Sequence, residues 1–263
     1  MKVAFVQTSP EFGEIEKNVD KAVGRIRSLG AGLVVLPELF STGYQFRSKK
    51  ELGELAEDPV EGYAGRSLAR AARERKMFIV AGFAERSGGK LYNSAMLVGP
   101  RGLVGVYRKA HLFWEEKRLF SPGDTPFRVY DIGQARVGMM ICFDWLFPEV
   151  ARELARKGAD IICHPSNLVL PHCPQAMITR SLENRVFTIT ANRVGSEERV
   201  EGTRLRFIGK SQVTAPDGKV LLRAQGRSTA AGAVEIEPKE AREKFITPRN
   251  NVIRDLRTDL LRG

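Results

Sequence analysis

The chain has 263 residues, long enough for one α/β domain to bury a large core without disulfide or metal support. Its 43% hydrophobic and 28% charged content is that of a globular protein, 25 glycines and 13 prolines exclude a collagen-like or low-complexity chain, and no apolar run reaches the ~20 residues of a membrane span. Lys and Arg number 42 against 31 Asp and Glu, a net charge of +11, yet the two signs interleave, as in Lys49-Lys50-Glu51 and Arg152-Glu153-Arg156. A nucleic-acid-binding stripe would be denser, so the charge reads as a basic solvated surface. Cys142, Cys163 and Cys173 cannot all pair within one chain, and the opening Met1 to Pro10 does not read as a secretory signal. Reduced thiols in a cytoplasm are the expectation.

No repeat of fixed period and no Ser/Gly/Pro-rich linker divides the sequence, which predicts one domain over residues 1–263. Val3 to Val6 reads as a strand. Asn18 to Leu29 places Val19, Ala22, Val23, Ile26 and Leu29 on one helical face, and Gly30 and Gly32 end that helix. Leu33 to Leu36 is a buried strand, Leu68 to Arg75 a helix, and Phe78 to Ala81 a strand. Leu91 to Val98 and Leu103 to Tyr107, joined by Gly99-Pro100-Arg101-Gly102, form a hairpin pattern. Val137 to Ile141 is apolar, and Pro148 opens a helix that Gly158 stops. Ile161 to Cys163 is a strand, Gln175 to Asn184 a helix, Val186 to Thr190 a strand, and Ala215-Pro216-Asp217-Gly218 a turn between strands. From Lys239 to Gly263 runs a basic arm, with Ile253, Leu256, Leu260 and Leu261 at near-helical spacing, a stripe able to dock on its own body or on a second subunit. Doubly apolar strands alternating with helices predict an α/β or layered α+β fold with covered sheets, and the hairpins argue against a purely parallel sheet.

Three buried-strand patterns end in a reactive residue: Val34-Val35-Leu36-Pro37-Glu38, Val104 to Lys109, and Val137 to Cys142. Strand ends are where layered α/β folds place ligands. A carboxylate, an ammonium and a thiol together make a self-consistent nucleophilic site. In it Cys142 attacks, Glu38 moves protons and Lys109 holds developing negative charge. The position of Cys142 near a helix start, with an ammonium nearby, predicts a lowered thiol pKa.

Leu36-Pro37-Glu38-Leu39-Phe40, Tyr107-Arg108-Lys109-Ala110-His111-Leu112 and Ile141-Cys142-Phe143-Asp144-Trp145-Leu146-Phe147-Pro148-Glu149 resemble the three signature blocks of the nitrilase, or carbon–nitrogen hydrolase, superfamily, in that family's order and at about its separations. The opening Val6-Gln7, His164-Pro165-Ser166-Asn167 and Leu182-Glu183-Asn184-Arg185 are similar to further family blocks, so that the likeness covers roughly the first 235 residues. Phe143-Asp144-Trp145 with Thr42-Gly43-Tyr44 looks most like the small nitrilases of thermophilic archaea. The resemblance implies a four-layer αββα sandwich and a Glu-Lys-Cys triad of Glu38, Lys109 and Cys142. It also implies a second glutamate, best matched by Glu116 with Glu115 beside it, and a homodimer. The backbone N–H of Phe143 would join Lys109 in an oxyanion hole, and no metal or organic cofactor is needed. Tyr44, Phe113, Phe143, Trp145 and Asn167 flank these blocks and are candidates to line the substrate pocket.

The implied chemistry is hydrolysis of a non-peptide carbon–nitrogen bond through a thioester. A small nitrile is the leading substrate, and small amides or carbamoyl compounds are the alternative. Other constellations explain less. Adjacent residues on a strand face opposite ways, so Cys163 and His164 do not share a zinc ion. A Cys-His hydrolase pairing Cys142 with His164 or His172 leaves Glu38 and Lys109 without a role. No phosphate-binding loop and no dinucleotide fingerprint is present.

Overall fold

The computed structural model describes residues 1–260. In chain order the first half runs β1 (Lys2–Gln7), α1 (Ile15–Arg27), β2 (Leu33–Val35), α2 (Lys49–Leu55), α3 (Tyr63–Arg75), β3 (Phe78–Ser87), β4 (Lys90–Gly99), β5 (Gly102–Arg108) and the short α4 (Glu116–Leu119). The second half runs β6 (Val129–Asp131), β7 (Arg136–Met139), α5 (Pro148–Arg156), β8 (Ile161–Pro165), α6 (Cys173–Asn184), β9 (Phe187–Ala191), β10 (Val194–Val200), β11 (Thr203–Ile208), β12 (Gln212–Thr214), β13 (Val220–Arg223) and β14 (Ala230–Glu235). It ends with β15 (Phe245–Thr247) and β16 (Asn250–Asn251). A 3-10 turn, Cys142–Leu146, joins β7 to α5.

Among the described residues two six-stranded sheets form, ordered β14-β1-β2-β3-β4-β5 and β13-β12-β9-β8-β7-β6. Each has a parallel centre, β1-β2-β3 in one and β7-β8-β9 in the other, with antiparallel strands outside. The alternation of β1 shows why both faces are apolar. Val3 and Phe5 enter the core between the sheets with Val35, Val137, Ile161 and Phe187, whereas Ala4 and Val6 meet Val19, Val23, Leu68 and Ala72 of α1 and α3. Helices α5 and α6 cover the outer face of the second sheet through Val150, Leu154 and Met177. The result is the expected αββα sandwich. Burying a Val, Leu, Ile or Phe side chain contributes ~1.5–3 kcal/mol, so these layers dominate the stability.

Several elements outrun the sequence pattern: α3 begins at Tyr63 and β3 continues to Ser87. The arm departs from its helical spacing. A 3-10 turn at Pro238–Arg242, the β15–β16 pair and a last 3-10 turn at Thr258–Leu260 stand where the spacing predicts a helix; at the start of the apolar stripe Asn251 Oδ1 accepts from the backbone N–H groups of Ile253 and Arg254 and holds it as a turn. Leu261 lies outside the described residues. No helix among the described residues is long and apolar enough to cross a membrane.

Candidate active site

Glu38 leaves β2, Lys109 follows β5, and Cys142 lies three residues past β7, so one end of the sandwich gathers all three from two sheets. Gly82 on β3 makes the first exit possible. A Cβ there would lie 2.5 Å from Glu38 Cα, and only glycine lets β3 pass this close. Leu39 (φ +48°) and Cys142 (φ +40°) are held in the left-handed region, strain that the surrounding hydrogen bonds must offset.

Lys109 Nζ donates to Glu38 Oε1 at 2.7 Å and to Glu116 Oε1 and Oε2 at 2.9 and 2.8 Å. All three side chains are buried. Glu38 Oε1 also accepts from Asn93 Nδ2 at 2.7 Å, while its buried Oε2 has no partner among the described residues. The backbone N–H of Phe113 donates to Glu116 Oε2 at 3.1 Å and the Tyr44 hydroxyl to Glu116 Oε1 at 2.7 Å. Of the two neighbouring glutamates, Glu116 therefore joins the cluster, and Glu115 sits at the surface against Arg118.

One ammonium serves two carboxylates. Burial opposes the charge of Lys109, but Glu116 and Glu38 outweigh it and hold the ammonium above the ordinary lysine range. Burial, reinforced by Glu38, keeps Glu116 above the usual carboxylate range against the pull of Lys109. The Cys142 thiol is pushed well above its ordinary value, first by burial, then by Glu38 and, more weakly, Glu116, against the pull of Lys109 and a hydrogen bond from the Asn167 backbone N–H. This corrects the expectation of a lowered thiol. The turn that Cys142 opens is a single short 3-10 segment, and burial with two carboxylates outweighs its partial charge and the lone ammonium. The direction of these influences favours the protonated thiol, and Glu38 Oε2 is the carboxylate oxygen of the cluster without a partner among the described residues.

Asp144 and His164 hold the backbone around Cys142. Asp144 Oδ2 accepts from Tyr107 Oη at 2.8 Å and Ile141 N at 2.9 Å, and Oδ1 accepts from His111 N at 3.1 Å, with His111 Nδ1 2.8 Å away. That carboxylate ties the Cys142 turn to the segment carrying Lys109. His164 Nε2 lies 2.9 Å from the carbonyl oxygen of Cys142, and Nδ1 3.1 Å from Thr190 Oγ1. Burial pushes His164 down to about 4, so it is neutral at pH 7 and bonded to the backbone of Cys142. It supports the Cys142 backbone, and with both ring nitrogens engaged, at the Cys142 carbonyl and at Thr190, it is not placed as the base of a Cys-His hydrolase. Asp144 was visible within its sequence block, two residues after Cys142, and His164 within a further block, but the sequence did not show that the His164 ring bonds the Cys142 carbonyl.

The pocket candidates separate. The Phe113 and Phe143 rings pack 5.0 Å apart. Asn167 is buried with both side-chain polar atoms unpartnered, beside the thiol its backbone touches. Trp145 is half-buried against the main core cluster, and its carbonyl accepts from Arg180 Nε at 3.2 Å. Tyr44 reaches the carboxylate cluster and also lines, with Glu116, Trp114, Leu119, Val200 and Leu205, a cavity of about 460 Å³. The N–H of Phe143, in the first turn after Cys142, has no acceptor inside that turn. Among the described residues no three His, Cys, Asp or Glu side chains are grouped so as to hold a metal.

Residues 2–244 match the family model described as carbon-nitrogen hydrolase. The chain is 49% identical to a protein named "Nitrilase" of the thermophilic archaeon Pyrococcus abyssi, over 98% of both chains. It is 36% identical to an "(R)-stereoselective amidase" of Pseudomonas sp., over 90% of this chain and 85% of that one. In fold it is similar to a variant of the amidase from Nesterenkonia sp. AN1 carrying acrylamide added at its active-site cysteine, with a TM-score of 0.82, 24% identity, and coverage of 100% of this chain and 98% of that one. The chain belongs to the carbon–nitrogen hydrolase family and is an enzyme of its nitrilase and amidase type.

Proposed function

We propose that the enzyme hydrolyses a small nitrile to its carboxylate and ammonia through a thioester on Cys142. The buried cluster in which Lys109 bridges Glu38 and Glu116, with Glu38 Oε2 unpartnered, carries this reading. Glu38 Oε2 takes the thiol proton as Cys142 Sγ attacks the nitrile carbon, and passes it to the nitrile nitrogen, which gives a thioimidate and restores the Glu38 carboxylate. A first water, deprotonated by Glu38, adds to that carbon. The nitrogen is then protonated and leaves as ammonia, forming the thioester. A second water, again activated by Glu38, adds to the thioester carbon and expels Cys142 as the thiol. Lys109 and the Phe143 N–H face the negative charge that develops at each addition, and each such donor contributes ~3–4 kcal/mol to catalysis. Tyr44 keeps Glu116 on Lys109, so that the ammonium is fixed before substrate enters. Asn167 is the polar group for substrate orientation, and Phe113 and Phe143 form the apolar wall.

An amide enters the same path at the tetrahedral stage and needs one water where the nitrile needs two. The likeness to a nitrilase at 49% identity favours the nitrile, and the amidase relatives favour the second reading. Ammonia release from a short aliphatic nitrile and from its amide, by wild type and Cys142→Ala, decides between them. Nitrile turnover lost in the variant supports the proposal; turnover of the amide alone overturns it in favour of an amidase. The protein is further proposed to work as a homodimer in a cytoplasm, where its three unpaired cysteines would stay reduced. A monomer mass at micromolar concentration would sink the dimer.

A further inference from the structure

The β10–β11 ribbon belongs to neither large sheet, yet it carries a carboxylate that is almost fully buried. Glu197 Oε2 accepts from the backbone N–H groups of Tyr44 at 3.1 Å and Gln45 at 2.6 Å, and Oε1 pairs with the Arg193 guanidinium. Gly43, at φ +86°, lets the carboxylate come this close, since a Cβ there would lie 3.0 Å from Glu197 Oε1. Arg193 lies 4.0 Å above the Phe207 ring, and Phe207 packs edge-on against Tyr44 with centroids 5.9 Å apart. A buried ion pair adds little net stability compared with apolar packing, so fastening a ribbon does not by itself call for one. What this pair adds is direction. It holds both backbone N–H groups of the Tyr44 segment, and Tyr44 then places its hydroxyl 2.7 Å from Glu116 Oε1, on the carboxylate that receives Lys109.

We propose that Glu197 is a positioning residue for the reaction: gripping the Tyr44 backbone, it sets the Tyr44 hydroxyl on Glu116 and thereby fixes the Lys109 ammonium beside Cys142. The proposal rests on the roles given above to Lys109, Glu116 and Cys142. It predicts that Glu197 and Tyr44 act as one unit.

The test is a double-mutant cycle of Glu197→Gln and Tyr44→Phe, read on alkylation of Cys142 by iodoacetamide as a function of pH, with Cys142→Ala as blank. This probe requires no knowledge of the natural substrate, so absent turnover of nitrile and amide would sink the proposed function without touching the cycle. Each single variant is expected to slow alkylation ~10-fold, about the effect of losing one charge-assisted hydrogen bond. Each should also move the alkylation profile to higher pH, because a loosened Lys109 supports the thiolate less. The double variant should be no slower than the slower single one. Effects that multiply, or an unmoved pH profile in Glu197→Gln, would overturn the proposal and leave Glu197 a structural clamp. Should Glu197→Gln fail to fold, Glu197→Asp keeps the charge, withdraws it by one methylene and enters the same cycle.

Discussion

His164 supports the carbonyl oxygen of Cys142 through a hydrogen bond of 2.9 Å, and that bond ties the Cys142 turn to the end of the neighbouring strand β8. Burial holds the imidazole neutral, at about 4 in the folded protein against an ordinary 6.5. The unfolded chain therefore binds a proton that the folded one refuses as pH falls from 6.5 to 4. Stability from this residue is complete above pH 6.5 and declines through that window, by about 3 kcal/mol at most. Thermal unfolding of wild type and His164→Gln from pH 4.5 to 7.5 measures it. The variant should be less stable at pH 7 but lose less on acidification; parallel curves would contradict the neutral imidazole.

The Cys142 sulfur should be protonated in the resting enzyme at pH 7 to 8. A difference spectrum near 240 nm between wild type and Cys142→Ala should show no thiolate band there, and the band should appear only well above pH 9. A thiolate band at pH 7 would restore the ion-paired nucleophile expected from sequence.

Gly82→Ala places a methyl group against the Glu38 backbone. Overpacking of this kind typically costs ~1–3 kcal/mol of stability. The larger effect should fall on turnover, because the displaced atom belongs to the proton-carrying residue. A circular dichroism melt with steady-state kinetics should show kcat falling at least ~10-fold in a protein that still folds.

Asn167→Ala should reverse that balance of stability and function. Both polar atoms of the buried amide lack partners among the described residues, so removing them should leave stability within ~1 kcal/mol of wild type. Substrate binding or turnover should nevertheless weaken by ~10-fold, the value of one oriented hydrogen bond. A large drop in melting temperature with unchanged kinetics would assign Asn167 to structure.

The parts of the site legible in the sequence were those adjacent to a strong local pattern. Glu38, Lys109 and Cys142 each stand just past an apolar strand, and the strands deliver them to one end of the sandwich. The thiol ionisation was not legible, because sequence shows a nearby ammonium but neither the burial of Cys142 nor Glu116 folding back on Lys109. Glu197 was hidden for a different reason. Ser196-Glu197-Glu198-Arg199 reads as a solvated charged run, and its partner Tyr44 lies some 150 positions earlier. The arm misled through spacing alone. Ile253 and Leu256 recur at a helical interval, but the Asn251 side chain takes the backbone N–H groups of Ile253 and Arg254 and holds the start of the stripe as a turn.

The buried pair of carboxylates on one ammonium also bears on how the cycle ends. A nitrile, an amide and a thioester carry no net charge and enter without penalty. On the proposed path the acid would form at Cys142, beside Glu38 and Glu116, with Lys109 already shared between them. Once it ionises, a third negative charge stands in a region of low dielectric, where like charges repel far more than in water. If the proposed reaction holds, the site would itself drive product expulsion, and the acid product should inhibit weakly and most strongly at low pH.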